Sequence, residues 1–240
     1  GIPLDQDEDP SQAGLLIRGA PGTTVRLTIQ RNGQVIEYEL IRQEQEFVRS
    51  EMLPNGIGYI TLRAYNPMAS KQMQQALEDL LQHKPKGIIW DLRNNEGGDM
   101  QAAQEILSCF IQDGLLFRAA LPRGRTVEFK AKGRAIAADV PLAVLTDHTT
   151  YSAAEASAAA VAETGRGITI GERSFGKGVI QAAIPLPGGS LLRMTVAKWL
   201  SPEGEWYHER GVTPLIQISD DPSTSADEIL QKAIAVLNSE

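Results

Sequence analysis

The chain has 240 residues, of which 42% are hydrophobic and 22% charged, a composition typical of globular proteins that bury a core. A formal net charge of −7, with lysines and arginines scattered along the chain, argues against a nucleic-acid-binding protein. The single cysteine, Cys109, cannot form an internal disulfide, and no segment approaches the roughly 20 apolar residues that span a bilayer.

The first 46 residues contain signals for a short helix and a β-hairpin. A helix is predicted over residues 11–17, where a serine can cap a run of apolar residues. Two alternating segments follow, over 24–29 and 35–41, and the Asn32-Gly33 pair between them is typical of a type I′ turn. Because a helix and one hairpin are marginally stable alone, we interpret this segment as part of a small domain.

From residue 47 onward, strand-like and helix-like segments alternate, which predicts an α/β fold. The apolar run over 87–92 is typical of a strand that is covered on both faces. The predicted strands are 58–62, 87–92, 140–145, 167–170, 179–184 and 191–199, and the predicted helices are 68–83, 99–112, 153–163 and 226–237.

Two junctions between a predicted strand and a predicted helix carry unusual residues. Asp91 begins a loop that ends on the glycine pair Gly97-Gly98, and paired glycines permit positive φ and close approach of the backbone. The second junction places Ser152 at the start of the alanine-rich helix, where the Ala153 N–H and the helix dipole can stabilise an oxyanion. A plain glycine loop and a plain serine N-cap are the structural alternatives.

Lys177 lies between two glycines and supports the interpretation of Ser152 as a nucleophile. A serine hydroxyl is a weak nucleophile until a base takes its proton, and lysine is such a base only as the neutral amine, which burial favours. If a strand begins at Gly178, Lys177 and Gln181 share one face of it, and Gln181 could hold the amine by a hydrogen bond. A solvated surface lysine is the alternative.

A phosphate-binding loop is a weaker interpretation of the same segment. Gly171 is followed five residues later by Gly176-Lys177, which nearly matches the loop of nucleotide-binding proteins. Gly178, however, stands where that loop requires serine or threonine for magnesium. The residues that follow are also predicted to form a strand rather than the helix that the loop requires.

A histidine-based triad and a metal site are weaker as well. The chain has three histidines, His83, His148 and His208, and Asp147 lies beside one of them. His148 is only four residues before Ser152 on the same turn, which is a poor position for a base that must reach the hydroxyl. The histidines are isolated and the chain has no cysteine cluster, so a metal site is not expected.

These motifs resemble those of the carboxyl-terminal processing proteases, the tail-specific peptidases of the S41 type. Lys177 follows Ser152 by 25 positions and Gln181 follows Lys177 by four, as in that family. The segments that carry the resemblance are DLRNNEGG at 91–98, SAAE at 152–155, FGKG at 175–178 with Gln181, and GVTP at 211–214.

The resemblance implies a fold, a domain division and a location. It implies an α/β fold with a crotonase-like (ββα) protease core over residues 47–240. Residues 1–46 resemble the carboxyl-terminal half of a PDZ-like domain, whose first strands and carboxylate-binding loop would precede Gly1. Members of the family act outside the cytoplasm, so an extracytoplasmic location is expected.

The resemblance also implies an activity and a set of site residues. Ser152 would be the nucleophile, Lys177 the general base and Gln181 its orienting partner, and the N–H groups of Gly98 and Ala153 would form the oxyanion hole. The reaction would be hydrolysis of protein or peptide substrates near an accessible carboxyl terminus through an acyl-enzyme. No cofactor, metal or nucleic acid is expected, and assembly into a homo-oligomer is left open.

Three positions depart from the family pattern without removing a catalytic group. Glu96 replaces a proline or serine, Ala154 replaces a serine, and Glu163 replaces an aspartate. The alternative function is that of a non-catalytic ligand- or peptide-binding protein on the same fold. The presence of Ser152, Lys177 and Gln181 together favours the enzyme, because a carrier does not need all three.

Overall fold

The computed structural model describes residue 14, residues 16–187 and residues 190–239. The chain divides into two compact units, Gly1–Gln45 with Ala183–Arg193 and Glu46–Ala182 with Met194–Glu240. The helix predicted over residues 11–17 falls largely outside the described residues. No helix in the described part of the chain is long and apolar enough to cross a membrane.

The first unit contains the predicted β-hairpin. Strands β1 (Thr24–Arg31) and β2 (Gln34–Ile41) pair antiparallel in register from end to end. Asn32 and Gly33 between them have φ values of 52° and 77°, the left-handed backbone that a type I′ turn requires at both central positions. The hairpin prediction is therefore confirmed.

The remaining strands form two sheets. A six-stranded sheet has the order β12-β9-β8-β5-β4-β3, and a four-stranded sheet has the order β10-β11-β6-β7. The strands are β3 (Val48–Met52), β4 (Gly58–Leu62), β5 (Ile88–Asp91), β6 (Leu115–Ala120), β7 (Thr126–Lys130), β8 (Leu142–Thr146), β9 (Ile168–Gly171), β10 (Val179–Pro185), β11 (Leu191–Leu200) and β12 (Ile216–Gln217). The helices with assigned bounds are α1 (Pro67–Gln82), α2 (Met100–Leu107), α3 (Ala153–Glu163) and α4 (Glu228–Leu237), with a 3₁₀ turn at Pro122–Gly124.

Helices cover both faces of the six-stranded sheet. In β5, Ile88 and Trp90 face a core shared with α1, α2 and α3, whereas Ile89 between them faces α4. These three side chains are fully buried, as predicted for a strand covered on both faces. Trp90 also stacks on Phe110, with ring centroids 5.1 Å apart. The α/β prediction is confirmed, and the sheet is held between two apolar layers.

The structure differs from the sequence prediction at one helix and at several strands. The helix predicted over 99–112 ends at Leu107, where Ser108 is the C-cap residue and the following turn buries Phe110. Strands β3, β6, β7 and β12 were not predicted. The sequences of β3 and β6 lack a clear apolar and polar alternation, and β12 has only two residues, whereas β7 (TVEFK) does alternate and was overlooked.

Candidate active site

Three loops that carry the predicted site residues follow neighbouring strands of the six-stranded sheet. Strands β5, β8 and β9 are parallel, with Asp91 beside Leu145 and Thr146 beside Gly171 in the register. Parallel strands present their carboxyl ends at one edge, which is where open α/β sheets bind ligands. The loop after β5 contains the glycine pair, the loop after β8 ends on Ser152, and the loop after β9 contains Lys177.

Ser152 precedes α3 in a strained conformation. Its φ of 62° and ψ of −122° lie in a region that residues other than glycine rarely adopt. Such a tight turn from a strand into a helix presents a nucleophile at the end of a sheet. Ser152 is half-buried, and its own N–H donates to Glu155 Oε2 at 2.8 Å.

The glycine pair packs directly against this turn. A Cβ on Gly97 would lie 2.7 Å from the Tyr151 carbonyl oxygen and 2.8 Å from the Ala153 nitrogen, so no side chain fits there. Gly98 has a φ of 141°, and its Cβ would lie 2.2 Å from the Tyr65 carbonyl oxygen. Both predicted oxyanion donors, Gly98 and Ala153, therefore belong to segments in contact. Within the described chain, neither N–H has a hydrogen-bond acceptor.

Asn95 fixes this contact and was not predicted from the sequence. Its buried amide donates to the Leu62 carbonyl at 2.6 Å and accepts from the Gly97 N–H at 2.8 Å. Its own carbonyl accepts from the Tyr151 N–H at 3.1 Å. The side chain and backbone of one residue thus join β4, the glycine pair and the turn that carries Ser152.

Glu155 is a second residue whose role the sequence did not reveal. Its fully buried carboxylate accepts four hydrogen bonds, from the Ser152 N–H, the Ser174 hydroxyl and the N–H groups of Gly176 and Lys177. The pattern Ser152-x-x-Glu155 matches a helix capping box, which predicts the bond to the Ser152 N–H. The bonds to the 174–177 loop depend on tertiary structure, and no local pattern indicates them.

The backbone of Lys177 is held on both sides. Its N–H donates to Glu155 Oε2 at 2.8 Å, and its carbonyl accepts from the Trp199 indole N–H at 2.7 Å. The flanking glycines are required by packing, because a Cβ on Gly176 would lie 2.9 Å from the Gly211 nitrogen. A Cβ on Gly178 would lie 2.6 Å from the Trp206 indole nitrogen.

The two residues of the predicted dyad are held close through their backbones, since both N–H groups bond to Glu155 Oε2. Lys177 Nζ lies over the Tyr151 ring, 5.1 Å from its centroid. Among the described residues, no hydrogen bond joins Lys177 Nζ to Ser152 Oγ or to Gln181. Gln181 is exposed on β10, four positions beyond Lys177. The structure thus brings Ser152, the glycine pair and Lys177 together, and among the described residues Gln181 forms no hydrogen bond with any of them.

An ionic network connects the loop after β5 to the start of α4. Arg93 donates to Asp91 at 2.7 Å and to Asp227, the N-cap residue of α4, at 2.8 Å. Burial alone would lower the pKa of the Arg93 guanidinium, but its bonds to the two carboxylates outweigh burial and raise it. For Tyr59, burial itself raises the pKa of the hydroxyl, and the adjacent Asp91 carboxylate, 2.5 Å away, raises it further.

The side chains of the described histidines have hydrogen-bond partners other than Ser152 or none. His148 is exposed, and its Nδ1 lies 2.9 Å from Glu172 Oε2, a hydrogen bond that raises the pKa of His148. His208 Nδ1 contacts the backbone of Gly176 and Gly178, and no described histidine bonds to Ser152.

The chain after Gly178 forms β10 rather than a helix, unlike a phosphate-binding loop. The described residues contain no group of three or more His, Cys, Asp or Glu side chains that could hold a metal ion.

The chain is similar in sequence to known peptidases. Residues 56–218 match the model of peptidase family S41. The chain is 37% identical over 212 residues to carboxy-terminal processing protease CtpA of Bacillus subtilis, covering 86% of this chain and 45% of that protein. It is 31% identical over 232 residues to CtpB of the same organism, covering 94% of this chain and 48% of that protein. The chain thus spans about half the length of these relatives.

Solved structures share the fold. The photosystem II D1 C-terminal processing protease aligns with a TM-score of 0.67 and 28% identity, over 89% of this chain and 60% of that one. A lipoprotein from Streptococcus agalactiae aligns with a TM-score of 0.64 and 22% identity, over 82% of this chain and 71% of that one, which is a likeness of fold alone. With the family model matched across most of the six-stranded sheet and across all three site loops, the chain belongs to peptidase family S41, the family of the carboxy-terminal processing proteases.

Proposed function

We propose that the protein is a serine endopeptidase that cleaves protein substrates near accessible carboxyl termini, with Ser152 as nucleophile and Lys177 as general base. The observation that carries this proposal is the turn at Ser152. The serine has a strained backbone at the start of a helix, beside two N–H groups that have no acceptor among the described residues, and it shares a buried carboxylate with the Lys177 backbone. A serine that only capped a helix would not need this strain.

The proposed chemistry follows from these positions. Lys177, as the neutral amine, takes the proton of the Ser152 hydroxyl, and Oγ attacks the carbonyl carbon of the scissile peptide bond. The N–H groups of Gly98 and Ala153 stabilise the oxyanion of the tetrahedral intermediate. When the C–N bond breaks, the protonated lysine gives its proton to the leaving amine and an acyl-enzyme remains. Water then attacks the acyl carbon with Lys177 again as base, the ester bond to Ser152 Oγ breaks, and the lysine returns its proton to Oγ as the carboxylic acid product leaves.

Two side-chain movements complete the proposed dyad. Lys177 Nζ must leave the Tyr151 ring to reach Ser152 Oγ, and rotation about its flexible four-carbon chain allows this. Gln181, as orienting partner, must contact the amine in the active arrangement, and its exposed position on β10 leaves its side chain free to turn. Both movements belong to the proposal, because the dyad is not bonded in this structure.

We propose further that residues 47–240 form a crotonase-like protease core and that residues 1–46 are part of a PDZ-like domain. The boundary after Gln45, the hairpin of β1 and β2 before it and the α/β sheet after it support this division, whereas Ala183–Arg193 of the proposed core belongs to the first unit. The names of the curated relatives, which are carboxy-terminal processing proteases, support substrates with accessible carboxyl termini. The resemblance to this family also favours an extracytoplasmic location.

Covalent labelling separates the proposed enzyme from a binding protein. A fluorophosphonate probe should modify the wild-type protein at Ser152, with the site identified by peptide mass spectrometry. The Ser152→Ala variant should retain the wild-type thermal unfolding midpoint within a few degrees and lose the label. Stable binding of a tail peptide without labelling or hydrolysis would favour the alternative of a non-catalytic binding protein.

A further inference from the structure

We propose that Glu155 is a positioning residue that fixes the nucleophile and the general base relative to each other, an inference that rests on the proposed function. Its Oε2 accepts from the N–H of Ser152 and from the N–H of Lys177, each at 2.8 Å. The two backbone nitrogens therefore lie within two hydrogen-bond lengths of each other across a single oxygen atom. Glu155 Oε2 therefore fixes the backbone positions from which the Ser152 and Lys177 side chains extend.

The second oxygen of the carboxylate fixes the loop that carries the lysine. Oε1 accepts from the Ser174 hydroxyl at 2.5 Å and from the Gly176 N–H at 2.6 Å. The same Ser174 hydroxyl accepts from the Val212 N–H at 2.7 Å. Glu155 thereby connects the start of α3 to the 174–177 loop and, through Ser174, to the segment that begins at Gly211.

The burial of Glu155 indicates that it acts on geometry and not on the substrate. The residue has no exposed surface, so its carboxylate cannot touch a bound peptide. Its four donors are neutral, and no described basic side chain forms an ion pair with it. The charge is stabilised by these charge-assisted bonds and by its position in the first turn of α3.

Substitution of Glu155 should disturb the dyad more than the fold. In Glu155→Gln, the amide nitrogen replaces one oxygen and points at N–H or O–H donors in either orientation, which leaves buried donors unpaired. In Glu155→Asp, the charge is retained, but the carboxylate is one methylene shorter and cannot reach both the Ser152 and Lys177 N–H groups. A displacement of about 1 Å in a reacting group can cost on the order of 100-fold in rate.

Asp147 offers a matched control on the preceding loop. It is also a buried carboxylate with four neutral donors, the N–H groups of Asn94 and Thr149 and the hydroxyls of Thr149 and Thr150. None of these donors belongs to Ser152 or to the 174–177 loop. Asp147→Asn therefore reproduces the loss of a buried carboxylate without cutting the link between nucleophile and base.

The test measures the rate constant and the final extent of fluorophosphonate labelling at Ser152, with thermal unfolding of each variant. A permanently misfolded fraction lowers the extent of labelling, and reversible unfolding is detected by the thermal midpoint, whereas misplacement of the dyad lowers the rate constant of a fully folded variant. We expect Glu155→Gln to label about 100-fold more slowly and Asp147→Asn to stay within about tenfold of wild type. In peptide hydrolysis, kcat of Glu155→Gln should fall while KM changes little, because the buried carboxylate does not contact substrate.

Each outcome decides the inference. A wild-type labelling rate in Glu155→Gln, or an equal loss in Asp147→Asn, would overturn the positioning role. If Glu155→Gln does not fold, Glu155→Asp decides the question: a loss of at least about tenfold supports the role, and an unchanged rate overturns it. Failure of the proposed function looks different, because the wild-type protein itself would then not be labelled at Ser152.

Discussion

Lys177 extends its side chain over the ring of Tyr151, with Nζ 5.1 Å from the ring centroid. Tyr151 is the residue immediately before Ser152. Attraction between a cation and an aromatic face favours this arrangement when the lysine is charged. The proposed base thus lies beside the nucleophile, held by a contact that breaks when the amine turns to the hydroxyl.

Ser152→Ala and Lys177→Ala should each nearly abolish peptide hydrolysis and leave the fold intact. Loss of a general base typically costs 10²–10⁴-fold, and the two losses should not add, because the residues act as one unit. Steady-state hydrolysis by both single variants and the double variant checks this, with circular dichroism to confirm folding. Retention of more than about a tenth of the activity by Lys177→Ala would exclude the lysine as base.

His148 should affect stability in a pH-dependent manner and leave catalysis unchanged. Its hydrogen bond to Glu172 raises its pKa above the ordinary value of 6.5 and, in turn, lowers the pKa of Glu172. The stabilising effect of His148 is thus fully present below pH 6.5 and is lost as pH rises through the raised pKa. Thermal unfolding of His148→Ala should differ more from wild type at low pH than at high pH.

The effect should be small, because the His148 side chain is 78% exposed. The companion measurement is the pH–rate profile of hydrolysis, which His148→Ala should not alter. Disappearance in this variant of a rate transition at or above pH 6.5 would identify histidine as the base instead of Lys177.

Arg93→Ala should destabilise the protein strongly. The substitution leaves the buried Asp91 carboxylate without its cation, and removing one partner of a buried pair costs about 3–5 kcal/mol. Arg49→Ala is the control, since Arg49 pairs with Glu46 in the same unit at an exposed site, where a pair contributes about 1 kcal/mol or less. Chemical denaturation measures both, and similar midpoints for the two variants would contradict the prediction.

Phe175→Ala should weaken substrate use without lowering stability. The Phe175 side chain is 64% exposed and its ring centroid lies 5.5 Å from that of Tyr151, so it offers an apolar surface beside the proposed nucleophile. Covering a phenylalanine contributes about 1.5–3 kcal/mol, so kcat/KM for an apolar peptide should fall roughly tenfold or more, chiefly through KM. Val127→Ala, at an exposed residue of β7, should not change kcat/KM. Equal kinetics in both variants would contradict a substrate contact.

The local elements of the site were predictable, but their connections were not. Asn32-Gly33, the start of α3 at Ala153 and the buried strand β5 follow from turn chemistry and periodicity, which are local properties of the chain. The glycines beside Lys177 were correctly identified as unusual, but the sequence did not reveal their cause. They are required by close contacts with Trp206 and Gly211, which are distant in sequence.

The polar residues that connect the site could not be identified from the sequence, again because their partners are distant along the chain. The Glu155 carboxylate bonds to a loop 19 to 22 residues away, and the Asn95 amide bonds to Leu62, 33 residues away. The capping pattern at Ser152 and Glu155 indicates only the local bond. Contacts of this kind depend on the packing of β5, β8 and β9, which no single segment encodes.

The hydrogen bonds of Asp227 couple local unfolding of α4 to local unfolding of the loop after β5. The Asp227 carboxylate both caps α4, through the Leu230 N–H at 2.8 Å, and holds the Arg93 guanidinium. Unwinding the first turn of α4 therefore releases a support of the loop after β5, and displacement of that loop uncaps the helix. Amide hydrogens in the two segments should exchange with solvent as one cooperative unit, although more than 130 residues separate Arg93 from Asp227 along the chain.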